Sequence, residues 1–346
     1  MPNFIDLKDL SRDQLLDIIS LSIKWKKQDH SKFMIYKHVV LIFEKPSLRT
    51  RISFEVGINQ LGGMAYLLNE KEMQLGERET IEDTARVLER YADMVVIRCF
   101  GHDQIKKFSK VSNLPVINAL TDFSHPCQVV ADLITIKEYF GGLENKKIAW
   151  FGDCNNVLQS WIEASAILDF ELNIGCPKGI IPDINTISWA NEINKKIAWF
   201  GDCNNVLQSW IEASVILDFE LNIGCPKGIM PNLNTISWAN KINKKIKINH
   251  NPLEVSKGAD CVITDTWHSM GNQESISKKI FLPFQVNKNI MRQAKDNAIF
   301  MHCLPAYRDK EVSLEVLEGK QSVVFDEAEN RLHAQKAIMH FCLNLN

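Results

Sequence analysis

The chain has 346 residues, 45% of them hydrophobic and 24% charged, with a formal net charge of −2. That length points to two domains, and the composition excludes a disordered, collagen-like or coiled-coil chain. The near-neutral charge and the absence of any long apolar run predict no nucleic acid partner and no membrane span.

The first residues, Met1 to Asp9, lack the basic-then-apolar layout of a signal peptide. The nine cysteines are scattered, and Cys127 and Cys303 sit inside polar motifs. A reducing, cytoplasmic setting is expected rather than a disulfide framework.

Ser11 is a fitting N-cap for a helix over Asp13–Lys26, with Leu15, Ile18, Ile19 and Ile23 on one face. Val39–Phe43 is a short apolar run, as in buried parallel strands. An amphipathic helix carrying Phe54, Val56 and Leu61 follows a polar turn. Met64–Leu68 reads as a strand, and Thr80–Tyr91 as a helix with Ile81, Ala85, Leu88 and Tyr91 on one face. Met94–Arg98 and Val116–Asn118 read as strands. Pro126–Phe140 fits one long helix, stopped by Gly141-Gly142, the expected hinge to a second domain.

Beyond that hinge the alternation resumes. Strands are expected at Ile148–Phe151, Leu172–Gly175, Lys247–Asn249, Cys261–Thr264 and Ile299–His302, and helices at Val157–Leu168 and Thr186–Ile193. A last helix, Ala328–Leu345, is long enough to pack back on the first domain. The fold class is therefore α/β: two domains, each a parallel sheet flanked by helices, the second doubly wound. The boundaries are 1–140 with 328–346, and 141–327.

Residues 146–194 and 195–243 are almost the same text. Over 49 positions they differ at five: Ala166/Val215, Ile181/Met230, Asp183/Asn232, Ile184/Leu233 and Glu192/Lys241. Two copies this alike, with no third, read as a tandem duplication rather than a solenoid. Removing one leaves about 300 residues, still a two-domain length. The second domain is therefore enlarged by a duplicated βαβα unit. The parent sheet is expected in the order 3-2-1-4-5, with the first copy in the native positions, or else the second copy there and the first an appendage exposing Trp150 and Phe151. In the former arrangement the second copy would add outboard to give 3-2′-1′-2-1-4-5, which requires Asn249–Ala259 to run largely extended.

Five motifs carry chemistry. Ser47-Leu48-Arg49-Thr50-Arg51 follows a strand and combines hydroxyls, helix N-terminal amides and guanidinium groups, an anion site or else a solvated cap. His125-Pro126-Cys127-Gln128 opens a helix, where a neutral imidazole and an amide can donate to a carbonyl gaining negative charge. Gly152-Asp153-Cys154-Asn155-Asn156, repeated at Gly201–Asn205, lacks the glycine spacing for a dinucleotide. Its Asn side chains suit a carboxylate or amide ligand, or a helix cap. In Asp265-Thr266-Trp267-His268-Ser269-Met270-Gly271, Asp265 can bind an amine. His302-Cys303-Leu304-Pro305 offers a nucleophile or a metal ligand, although no matching ligand spacing occurs elsewhere.

Together the five motifs resemble the aspartate/ornithine transcarbamoylase family. The first two resemble its carbamoyl phosphate signature. Asp-x-x-x-Ser-Met-Gly and His-Cys-Leu-Pro resemble its ornithine branch. The resemblance spans nearly the whole chain, from Leu7 to Arg331, apart from the additional 49 residues. Gln159 and Gln208 depart from the family, which has His or Asn there.

The resemblance implies transfer of the carbamoyl group from carbamoyl phosphate to the δ-amine of L-ornithine, giving citrulline and phosphate in arginine biosynthesis, with no cofactor and no metal. Carbamoyl phosphate contacts would be Ser47, Leu48, Arg49, Thr50, Gln74, Arg98, His125, Gln128, Cys303, Leu304 and Arg331. Gln74 would reach a neighbouring subunit's site. Ornithine contacts would be Asn156 or its repeat Asn205, with Asp265, Ser269 and Met270. The catalytic set would be Arg49, His125, Gln128, Asp265 and Cys303, with Cys303 a positioning group because no covalent step is needed. A homotrimer with active sites between subunits is implied. The alternatives are transfer to another amine, such as putrescine or an acylated ornithine, and a duplication-impaired trimer that binds carbamoyl phosphate without turnover.

Overall fold

The computed structural model describes residues 2–27, 32–69, 79–143, 146–151, 153–175, 183, 185–186, 196–200, 220–224, 251–266 and 282–343. The chain divides into two compact units: Met1–Gly142 with Phe325–Asn346, and Leu143–Val324.

The first unit holds α1 (Arg12–Lys27), β1 (His38–Phe43), α2 (Leu48–Gln60), β2 (Met64–Asn69), α3 (Ile81–Leu88), β3 (Met94–Arg98), α4 (His102–Val111), β4 (Val116–Leu120) and α5 (Pro126–Phe140). Its parallel sheet runs β2-β1-β3-β4. Central strands β1 and β3 are continuous apolar runs because both faces are covered. Val40, Ile42, Val95 and Ile97 pack with Ile81, Ala85, Ile105 and Phe108 of α3 and α4. Helix α5 is buried from Pro126 to Ile136, as expected of a helix apolar nearly all round. Gly141 ends it in the left-handed region, φ +76°, where a side chain would be strained. The C-terminal helix, Val324–Cys342, contributes residues from Phe325 onward to this unit.

In the second unit, β5 (Lys147–Phe151), α6 (Asn156–Leu168) and β6 (Glu171–Gly175) come from the first repeat copy. The strands β7 (Lys196–Phe200) and β8 (Glu220–Gly224) come from the second, and β9 (Cys261–Thr264) and β10 (Ile299–His302) follow. The main sheet is parallel and runs β10-β9-β5-β6. Ala149 and Phe151 pack with Val262, Phe284, Val286, Ile290 and Phe300 in its core. α6 is buried along most of its length, with Trp161 fully enclosed and edge-on to Phe170 at 5.8 Å.

The first copy thus occupies the main sheet, and among the described residues that sheet has four strands rather than seven. Among the described residues, β7 and β8 pair only with each other, in the register that β5 and β6 use: Lys196 faces Glu220 as Lys147 faces Glu171. The crossover to β9 is not extended but contains a short helix, Pro252–Ser256.

Local details refine the sequence reading. Tyr91 is 72% exposed, because α3 ends at Leu88 and the 3.6-residue phase stops there. Val56 lies on the exposed side of α2 while Phe54 is buried. α4 was not expected, and the last helix starts at Val324 rather than Ala328. Of the expected Thr186–Ile193 helix only Thr186 is described, and Lys247–Asn249 lies outside the described residues.

Because Trp161 is enclosed in the main-sheet unit, Trp161→Ala is expected to cost roughly 3–5 kcal/mol. Urea unfolding followed by circular dichroism checks this, and a loss under about 1 kcal/mol would contradict the enclosure of Trp161.

Candidate active site

The polar residues gather in two groups, one in each unit, and each is built at strand ends and helix starts. In the first unit, α2, α5 and the C-terminal helix supply the side chains. Ser47 N-caps α2: its Oγ accepts from Thr50 N at 3.4 Å and donates to Thr50 Oγ1 at 2.9 Å. Leu48, at the first helical position, is 75% exposed. Arg49 is half-buried, and among the described residues it forms no hydrogen bond or ion pair. Arg98, at the end of β3, is buried.

His125 is the N-cap residue of α5. The residue before it is fastened hard: Ser124 Oγ donates to Asp6 Oδ1 at 2.5 Å and accepts from Asn118 Nδ2 at 3.0 Å. From the C-terminal helix, Arg331 Nη2 donates to Thr50 Oγ1 and lies 3.4 Å from His125 Nε2. A guanidinium only donates, so that ring nitrogen is an acceptor and the imidazole is neutral. Burial first, then the Arg331 and Arg98 charges, hold the His125 pKa well below the ordinary histidine value. Burial also pushes the Cys127 thiol up to about 12, which removes it as a nucleophile at neutral pH. Gln128, fully buried, donates from Nε2 to Asp132 Oδ1 at 2.7 Å and to Glu327 Oε1 at 2.8 Å. This group can receive an anion flanked by a carbonyl: it has two buried guanidiniums, one available guanidinium, a helix N-terminus and a neutral imidazole.

In the second unit, β5, β9 and β10 are adjacent and parallel, so the residues after them meet at one sheet edge. Asn155 caps α6, its Oδ1 accepting from Val157 N at 3.0 Å and Leu158 N at 3.1 Å. Its Nδ2 donates to Asp265 Oδ2. Asp265 Oδ1 accepts from Thr266 N at 2.7 Å and from Cys303 Sγ at 3.3 Å. Asn156 is the first residue of α6 and is half-buried.

His302 does not pair with Cys303. Its Nδ1 accepts from Leu304 N at 2.9 Å and its Nε2 faces Glu311 Oε1 at 3.3 Å. That holds Leu304 in a left-handed conformation, φ +54°. Ligand atoms of Asp265, His302 and Cys303 lie within 4.8 Å of one another. The lone pair on His302 Nδ1 is already engaged, and the thiol donates to Asp265, so the trio is a hydrogen-bonded support. An Asp–thiol edge of this kind can orient an amine.

The structure thus brings Ser47, Thr50, Arg98, His125, Gln128 and Arg331 into the first unit, with Arg49 at the same helix start, and Asn156, Asp265, Cys303 and Leu304 into the second. Gln74, Asn205, Ser269 and Met270 lie outside the described residues. Sequence reasoning missed Asp6, Asn118, Asp132, Glu311 and Glu327. Only the four-residue spacing of Gln128 and Asp132 on one helix face was a readable signal. The Asn155–Asp265 link was missed too, since each residue was read within its own motif.

The profile of the aspartate/ornithine carbamoyltransferase carbamoyl-P binding domain matches residues 2–138. That of the Asp/Orn binding domain matches twice, over 144–197 and 193–342. The chain is 41% identical to ornithine carbamoyltransferase of Brucella ovis, covering 99% of this chain and 95% of that protein. It is 39% identical to that of Methanocaldococcus jannaschii, covering 98% of each. The solved ornithine carbamoyltransferase of Pyrococcus furiosus superposes with a TM-score of 0.81 at 35% identity, covering 100% of this chain and 98% of that one. With fold, motif order and full-length similarity in agreement, the chain belongs to the aspartate/ornithine carbamoyltransferase family.

Proposed function

We propose that this chain is an ornithine carbamoyltransferase, converting carbamoyl phosphate and L-ornithine into L-citrulline and phosphate. The observation that carries this reading is the buried cationic group of Arg331, Thr50 and His125, which suits an acyl phosphate. Full-length similarity to proteins of that name supports it.

In this reading the first unit binds carbamoyl phosphate and the second binds ornithine. Ser47, Leu48, Arg49, Thr50 and Arg98 hold the phosphate, and His125 and Gln128 hold the carbamoyl group. Cys303, Leu304 and Arg331 complete its contacts, with Gln74 from a neighbouring subunit. Asn156, Asp265, Ser269 and Met270 hold ornithine. Asn156 is favoured over Asn205 because the first copy's turn is linked to Asp265.

The neutral δ-amine attacks the carbamoyl carbon, and the tetrahedral oxyanion collapses to expel phosphate. Free alkylammonium groups titrate near about 10, so the amine must shed a proton in the site. The Asp265 carboxylate and Cys303 thiol orient it. Arg49, Thr50 and His125 stabilise the oxyanion, roughly 3–4 kcal/mol for each well-aimed donor. The arginines and the α2 N-terminus stabilise the departing phosphate.

A homotrimer is supported by an apolar stripe on α2, Leu48, Ile52 and Val56, spaced four residues apart and exposed beside edge strand β2 with its exposed Met64 and Tyr66. A cytoplasmic setting is supported by cysteines that remain thiols, Cys99, Cys127 and Cys342 among them. Among the described residues no helix is long and apolar enough to cross a membrane. The double match of the second domain profile supports a tandem duplication.

Product analysis tests the function. The full chain with carbamoyl phosphate is expected to make citrulline from L-ornithine with kcat/KM at least about tenfold above putrescine or Nα-acetylornithine. Preference for either other amine, or no turnover with phosphate binding intact, would establish an alternative.

A second expectation concerns His125. Its folded pKa is depressed, so the unfolded chain takes up the proton more readily. The stability contributed by neutral His125 is therefore full above about pH 6.5 and is lost as pH falls below it. Ring-nitrogen NMR should show His125 still neutral where an ordinary histidine has taken up its proton. A titration midpoint near the ordinary histidine value would overturn this.

A further inference from the structure

The amide of Gln128 is held from one side only. Nε2 donates to two carboxylates, Asp132 one turn further along α5 and Glu327 in the first turn of the C-terminal helix. Gln128, Asp132 and Glu327 are 0%, 2% and 1% exposed. The other amide atom, Oε1, is buried and has no hydrogen-bond partner among the described residues.

An ionised carboxylate only accepts hydrogen bonds. Two of them facing one end of an amide fix that end as the NH2. Rotating the amide by half a turn would press Oε1 against two acceptors and strand the NH2. The carbonyl oxygen is therefore directed away from the carboxylates. A buried acceptor left unsatisfied is costly, so a donor is wanted there.

We propose that Asp132 and Glu327 are positioning residues that present the Gln128 carbonyl oxygen to substrate, and that this oxygen selects an acyl phosphate bearing –NH2. The proposal rests on the reading that carbamoyl phosphate binds beside His125 and Gln128. Carbamoyl phosphate and acetyl phosphate differ at one group, NH2 against CH3, and carry similar charge. Phosphate-side arginines cannot tell them apart. The NH2 donates to Oε1, whereas a methyl leaves that acceptor buried and unpaired. A site built around a substrate hydrogen bond rejects the analogue lacking it.

The test is calorimetric binding of carbamoyl phosphate, acetyl phosphate and inorganic phosphate to the full chain, Asp132→Asn and Glu327→Gln. Both variants keep side-chain shape but add an NH2 that can donate, which frees the Gln128 amide to turn. The unaltered chain is expected to prefer carbamoyl over acetyl phosphate by about tenfold or more. Each variant should bind inorganic and acetyl phosphate as the unaltered chain does, yet lose most of that preference. Gln128→Leu, which removes the acceptor, sets the floor. Variants that keep the full preference overturn the proposal. Variants that lose all three ligands together also overturn it, because the carboxylates would then hold the fold rather than the amide. An unaltered chain with no preference would instead show that the carbamoyl phosphate reading fails, and this proposal with it.

Discussion

The first unit depends on a buried guanidinium. Arg331 is 5% exposed, 281 residues from Thr50 and 206 from His125 along the chain, yet it reaches both. Burying a cation is expensive unless it is hydrogen-bonded, and these two partners are neutral. These contacts place a positive charge beside Thr50 and His125, which suits an anion at the same place. The charge also sets the state of His125. Burial, with the Arg331 and Arg98 charges, keeps the imidazole neutral, and in the proposed reaction the ring would meet a developing oxyanion as a hydrogen-bonding group rather than as a competing acid. The neighbouring carboxylates, Asp132 and Glu327, bond to the Gln128 amide, which turns their presence into orientation.

The second unit presents the reverse problem, a buried carboxylate, which the proposed function assigns to an amine. Asp265 is 8% exposed and accepts from Asn155, Thr266 and Cys303. Three donors satisfy most of its lone pairs and fix its plane. The parallel arrangement of β5, β9 and β10 makes this possible, because each strand delivers its following residue to the same edge. Asn155 joins backbone to chemistry: one end of its amide caps α6 and the other holds Asp265. Truncating it would loosen both.

Much of this was legible in the sequence where the cause is local. Val39–Phe43 and Met94–Arg98 read as strands because burial on both faces demands unbroken apolar runs. The Pro126 start and Gly141 stop of α5 are written in the residues that only those positions favour. α4 was not legible: His102–Val111 is short and mostly polar, and only Ile105 and Phe108 are buried. The motif residues could be named one by one, but their supports could not. Asp6, Asn118, Glu311 and Glu327 act across the fold, and no local spacing announces them. The strands Lys147–Phe151 and Lys196–Phe200 have identical sequences, so their pattern alone cannot choose which one lies beside β9.

The central claim is that Arg331 completes a buried anion site with Thr50 and His125. The most direct measurement is calorimetric titration of carbamoyl phosphate into the full chain and into Arg331→Gln, each first shown to be folded by circular dichroism. Losing a charge-assisted contact should weaken binding by about 10- to 100-fold. An affinity within about twofold of the unaltered chain would place the anion site elsewhere and contradict the account.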